Sequence, residues 1–261
     1  MQVPLLCFNT LLFLFYFFVF VIGCFFGSFL NVIVDRLSNG RSIVYPPSHC
    51  EHCRHRLAYY DLIPLLSFFY LKGKCRYCRI RLSRYYPVIE AMTGALFVLT
   101  VFMGTSPVYL LFVISSLIVV FFIDLKYGII PFSVVLVTLL FVTFWYLFAG
   151  LKIVDFLWAG LGVFIFFLLL FLATRGRGIG FGDVVFSFLM GYILGFPKIV
   201  LGVYIAFLTG AFFSLILVVF HKKKFKGGSI PFGPFLVSGT IISLFWGEGI
   251  IRTFLLYLHV Y

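Results

Sequence analysis

The sequence predicts an all-α polytopic membrane protein, with about eight transmembrane helices and a small cytoplasmic four-cysteine, zinc-ribbon-like insertion after the first. Three observations carry that prediction. Of 261 residues, 63% are hydrophobic and 11% are charged, and the mean hydropathy is +1.18. A soluble domain carries roughly 25% charge. Apolar stretches close to the ~20 residues that a helix needs to cross a bilayer recur along the chain. The basic residues, finally, gather in alternate connections.

Taken in order, the first apolar run covers about residues 4–34. It lacks a basic n-region and a small-residue cleavage site, so it reads as a retained helix and not a removed signal peptide. Cys7 and Cys24 lie singly within it and read as core residues. Residues 35–86 are polar and basic, the only stretch long enough for a small soluble domain. Further spans fall near 87–104, 107–123, 131–151, 153–174, 183–196, 198–220 and 230–250. The short connections, rich in Gly, Pro and Lys/Arg, suit tight helix hairpins. The predicted domains are 1–34 (first helix), 35–86 (tetracysteine domain) and 87–261 (membrane-embedded catalytic domain).

Orientation follows from the cations. With 35–86 in the cytoplasm and the spans alternating, ten Lys/Arg fall in 36–84. Lys126, Arg175, Arg177, Lys222, Lys223, Lys224 and Lys226 join them, giving 17 of 20 inside; Lys152, Lys198 and Arg252 lie outside. Eight spans with both termini outside thus satisfy the positive-inside rule. The net charge of +12 then belongs to loops facing anionic lipid. No groove-like domain offers it to nucleic acid.

Only eight acids occur: Asp35, Glu51, Asp61, Glu90, Asp124, Asp155, Asp183 and Glu248. In this topology Asp124 ends the third span and Asp183 begins the sixth, both at the cytoplasmic level. An ionisable group at a span reads as functional by default. Two adjacent carboxyls cannot both ionise cheaply, so one keeps its proton while the other activates water. That is the chemistry of an aspartic protease. Gly178, Gly180 and Gly182, alternating before Asp183, would let a substrate backbone lie close and extended. Three other readings stand beside it: Asp183 as a helix cap, Asp124 as an interfacial acid paired with Lys126, and a proton- or ion-translocating pair. The glycines match neither a dinucleotide fingerprint nor a P-loop.

Cys50-Glu51-His52-Cys53 and Cys75-Arg76-Tyr77-Cys78 are separated by 21 residues. Four thiolates at this spacing point to structural zinc, closed to water and hence not catalytic. Lys72, Lys74, Arg76 and Arg79 would balance the tetrathiolate's charge, and the reducing cytoplasm disfavours disulfides. His49, His52 and His55 read as solvated neighbours.

Several further motifs occur in one order. They begin with Gly27-Ser28-Phe29-Leu30-Asn31, Arg36-Leu37, Ser48-x-Cys50-x-x-Cys53, Asp61-x-Ile63-Pro64 and Leu66-Ser67. They continue with Gly73-Lys74-Cys75-Arg76-x-Cys78, Ser83-Arg84-Tyr85-Tyr86-Pro87-x-x-Glu90, and Asp124 with Ile130-Pro131. Gly180-Phe181-Gly182-Asp183-Val184 and Ile230-Pro231-Phe232-Gly233-Pro234-Phe235 complete the set. Through them the chain resembles the type IV prepilin peptidases, GxGD membrane aspartyl proteases of pilus and type II secretion systems.

The resemblance implies an aspartic endopeptidase of the bacterial cytoplasmic (inner) membrane, acting at its cytoplasmic face. Its substrates would be prepilin or pseudopilin precursors held in the lipid, cut after the glycine that ends a basic leader. It also implies N-methylation of the new terminus from S-adenosylmethionine. Asp124 and Asp183 match the family's two aspartates, and the cysteine section matches the part associated with methylation. The chain departs from the family where Val185 replaces a frequent Lys and Phe132 a frequent polar residue. No cofactor fingerprint marks an S-adenosylmethionine site. The alternatives are a peptidase without methylation, or an ion- or proton-coupled transporter with a zinc-ribbon domain. The chain shows no internal repeat of the kind transporters carry.

Overall fold

A computed structural model describes residues 3–104, 107–219 and 231–257, with backbone alone for 3–9 and 218. The expectations for Cys7, for the Lys222–Lys226 cluster and for Ile230 lie outside the described residues and side chains.

Described residues form nine α-helices and a 3₁₀ turn, with no strand. In order these are α1 (Val3–Leu37), the turn Tyr59–Leu62, α2 (Leu66–Tyr70), α3 (Tyr85–Phe102), α4 (Pro107–Tyr127) and α5 (Phe132–Phe148). Then come α6 (Ile153–Ala173), α7 (Phe181–Leu194), α8 (Lys198–Val219) and α9 (Gly233–Tyr257). Six of them, α1, α3, α4, α6, α8 and α9, are long and apolar enough to cross a membrane. Together with the family relationship described below, they make this a multi-pass membrane protein. The apolar helices α5 and α7, of 17 and 14 residues, are about 25 and 21 Å long at 1.5 Å per residue. Large apolar side chains such as Phe13, Phe144, Phe148 and Leu169 are exposed, as suits faces solvated by lipid.

The chain divides within α4 into two compact units, residues 1–119 and 120–261. In the first, α1 packs on α3. Gly23 and Gly27 of α1, one turn apart, make the close approach possible. A Cβ at Gly23 would come 2.7 Å from Gly94 Cα, and one at Gly27 would come 2.7 Å from Glu90 Cα. Small residues four apart let helix backbones touch where lipid offers no hydrophobic drive.

In the second unit α6 packs on α7 and α8 on α9, while α7 also touches α5 and α9. Both main pairs again meet at glycine. A Cβ at Gly191 would strike the Ala159 carbonyl at 2.7 Å, and one at Gly239 would overlap the Gly202 carbonyl. The Tyr146 hydroxyl on α5 donates to the carbonyls of Tyr192 and Ile193 at 3.1 and 3.2 Å, fastening the end of α7.

Candidate active site and cysteine cluster

The third apolar stretch loses its hydropathy at Asp124, yet α4 runs on to Tyr127. It stops at Gly128, whose φ of +69° suits a C-terminal glycine; the Gly128 N–H bonds to the Asp124 carbonyl at 2.8 Å. Asp124 therefore sits inside the last helical turn, 4% exposed. Asp183 is the third residue of α7 and 8% exposed. Its Oδ2 accepts the N–H of Gly180 at 3.1 Å. The capping reading was thus right about a hydrogen bond.

Capping does not exhaust Asp183: Gly182, just before it, packs on Ile130, six residues beyond Asp124. The second unit thus brings together two buried carboxyls that the sequence separates widely. Asp155, at the start of α6, lies at the end of the α6–α7 pair remote from Asp183.

The glycines divide in role. Gly178 and Gly180 lie in the non-helical link between α6 and α7, with Gly180 extended at φ −76°, ψ 152°. Gly182 is already helical; its missing side chain admits Ile130, whose Cβ would be 3.1 Å from a Cβ there. Unwound backbone before the aspartate therefore ends at Gly180. Val185 is half-buried in α7, and Phe132, at the head of α5, is exposed.

Gly233 was missed as a site residue. The first residue of α9, it is buried and packs directly against the Asp124 carboxyl. A Cβ there would overlap Asp124 Oδ2. That oxygen is buried and, among the described residues, has no hydrogen-bond partner. Only the Pro231–Phe235 part of the motif hinted at Gly233.

In the first unit, Cys50, Cys53, Cys75 and Cys78 place all four Sγ atoms within 4.8 Å of one another. Cys50 and Cys78 are 3.8 Å apart. A tetrahedral Zn–S distance of about 2.3 Å sets the sulfurs about 3.8 Å apart, so the four fit a single ion of that kind. Each pair sits on the same knuckle. The Cys50 N–H bonds to the His55 carbonyl at 3.0 Å, and the Arg54 N–H to the Cys50 carbonyl at 2.8 Å. Cys75 repeats this with Ile80 and Arg79, at 2.8 and 3.0 Å. Arg54 and Arg79 both take positive φ, +56° and +58°. The signal was in the sequence: Cys-x-x-Cys-Arg-x-Arg-Leu occurs at 50–57 and again at 75–82.

Burial pushes the Cys50 thiol up, but hydrogen bonds from Cys53, His52 and Cys75 outweigh it and bring it down to about 7. The Ile80 backbone favours the Cys78 thiolate, but burial and the other three thiols drive Cys78 up to about 11. A cation among the four would relieve that mutual repulsion. Nearby, Asp61 binds Arg76 Nε at 2.6 Å and accepts the Tyr77 hydroxyl at 3.2 Å.

Glu90 is buried on α3, and its Oε2 accepts the Leu65 N–H at 2.8 Å. Leu65 has φ +59°, an unusual value for a branched residue. Asn31 of α1 donates to the Tyr86 carbonyl at 3.2 Å.

Two family profiles match the chain in succession. The Bacterial Peptidase A24 N-terminal domain covers residues 21–103, and the Type IV leader peptidase family covers residues 111–215. Among curated relatives, a prepilin leader peptidase/N-methyltransferase of Burkholderia pseudomallei (strain 1026b) is 32% identical over 88% of this chain and 85% of its own. One from Bacillus subtilis (strain 168) is 31% identical over 91% and 96%, and one from Stutzerimonas stutzeri 29% over 90% and 92%. No solved structure matches the chain.

Proposed function

Because this chain belongs to the type IV prepilin peptidase family, we propose that it removes the leader from prepilin-like precursors at the cytoplasmic membrane face. Asp124 and Asp183 are the catalytic pair in this reading. Their joint burial in one unit, with Gly233 closing on one and Gly180 on the other, is the observation that supports it. The ionised carboxyl takes a proton from water, whose oxygen attacks the scissile carbonyl carbon. The protonated carboxyl gives its proton to the carbonyl oxygen. As the tetrahedral intermediate collapses, the C–N bond breaks and the amine leaves with a proton. The products are a leader ending in glycine carboxylate and a mature chain with a new amine.

That amine is then methylated. S-adenosylmethionine would supply the methyl group for it and leave as S-adenosylhomocysteine. In this reading α5 and α7 also span, both termini lie outside, and Asp124 and Asp183 stand at the level where a basic leader meets its apolar stem. To test the reading, the purified protein is incubated with a prepilin peptide and S-adenosylmethionine and the products are weighed. The expected result is one cut after the leader's glycine, with the mature fragment heavier by one methyl group. An intact peptide would overturn the peptidase; cleavage without added mass would leave a peptidase that does not methylate.

The four cysteines hold structural zinc in this account, tying the two knuckles together. Metal analysis should find about one zinc per chain, lost in Cys50→Ser or Cys75→Ser, because one missing ligand opens the site. Methylation should suffer more than cleavage. A metal-free chain active in both reactions would sink this.

A further inference from the structure

The end of α7 remote from Asp183 lies outside the proposed catalytic machinery. A cavity of about 820 Å³ opens there among α6, α7, α8 and α9, at the helix ends opposite Asp183. Phe156 and Leu255 contribute to its apolar wall, and Asp155, Lys198, Glu248 and Arg252 supply four charges. Neither the peptidase reading nor the methylation reading uses any of them.

The charges divide into two kinds. Lys198 Nζ is bound to Glu248 Oε1 at 2.5 Å, and its stem lies over Gly247, where a Cβ would come 3.2 Å from Lys198 Cγ. That pair is internally neutralised. Asp155 and Arg252 face the same cavity, yet among the described residues neither side chain has an ion pair or hydrogen bond. One unpaired acid and one unpaired base, on a rim whose four charges sum to zero, complement a neutral ligand with separated charges. A purely anionic ligand would leave Asp155 opposed, and a purely cationic one would leave Arg252 opposed. The volume lies within the range of small-molecule sites, and the apolar wall belongs to helices immersed in lipid.

We propose that this cavity binds a zwitterionic, amine-bearing phospholipid, its phosphate on Arg252, its ammonium on Asp155 and its acyl chain along Phe156 and Leu255. Arg matches phosphate in charge and geometry, and a primary ammonium can donate to the Asp155 carboxylate. The proposal is independent of the peptidase reading, since binding is measured without cleavage.

The test is native mass spectrometry of the full chain in neutral detergent, titrated with dioleoylphosphatidylethanolamine or dioleoylphosphatidylglycerol. The chain should retain phosphatidylethanolamine about tenfold more readily than phosphatidylglycerol. Arg252→Gln and Asp155→Asn should each lose about tenfold of that retention, a factor of the size one charge-assisted contact supplies. Lys152→Gln, outside the cavity, should lose none. Each variant should unfold thermally in the same detergent at the temperature of the parent chain, which verifies its fold. Should a variant fail to fold, the comparison of the two lipids on the unsubstituted chain decides alone. Equal retention of both lipids, preference for phosphatidylglycerol, unchanged binding in folded variants, or displacement by prepilin peptide would each overturn the assignment.

Discussion

Asp124→Asn and Asp183→Asn should each lower prepilin cleavage by at least about a thousandfold, the scale of lost general acid–base catalysis. The double variant should be scarcely worse than either single one, because groups that act as a unit are not additive. An amide keeps the size of the carboxyl but can neither take water's proton nor exchange roles with its partner. The substitution also removes a buried charge beside another acid, so expression and folding should be preserved. Near-normal turnover in either variant would exclude the two-aspartate mechanism. Independent, multiplicative losses would show that the two act in separate steps.

The second large effect is expected at Gly233→Ala, at a residue that takes no part in proton transfer. The added methyl would overlap Asp124 Oδ2. What must give is the end of a side chain and not a backbone, so the helix can stay while the carboxyl turns away. A displacement of about 1 Å at a reacting group can cost roughly a hundredfold in rate. Cleavage should fall by that order with thermal stability little changed. Gly249→Ala, where a Cβ would meet nothing within 4 Å, is the matching control and should remain active. If Gly233→Ala cleaves like the parent chain, the close contact does not position Asp124.

Much of this was legible in the sequence, for identifiable reasons. Eight apolar stretches announced eight helices because lipid leaves the backbone few other ways to satisfy its hydrogen bonds. The four cysteines announced their cluster because CxxC spacing is itself a local geometry. Helix ends were less legible. Hydropathy stops at Asp124, but the hydrogen-bond ladder stops at Gly128. The last apolar stretch looked finished near residue 250, whereas α9 runs to Tyr257 past a Glu248 neutralised by Lys198. Gly182 could be read either as unwound loop or as borrowed by the short sixth span, and the structure makes it helical, with Ile130 packed against it. Contact between Gly233 and Asp124 was illegible, since no local pattern records which helix end meets which. The two cysteine knuckles could have been read as a repeat from Cys-x-x-Cys-Arg-x-Arg-Leu alone.

The pair of aspartates sharing one proton is the centre of the account, and the pH dependence of kcat/KM tests it most directly. A pair that works with one carboxyl protonated and one ionised fails when both are protonated and fails again when both are ionised. Cleavage of a prepilin peptide lacking other titratable groups, in neutral detergent, should therefore trace a bell with one acid and one alkaline limb. The residual activity of each Asn variant should lose that shape. A parent profile with a single limb, or a bell that survives Asp124→Asn unchanged, would contradict the shared proton.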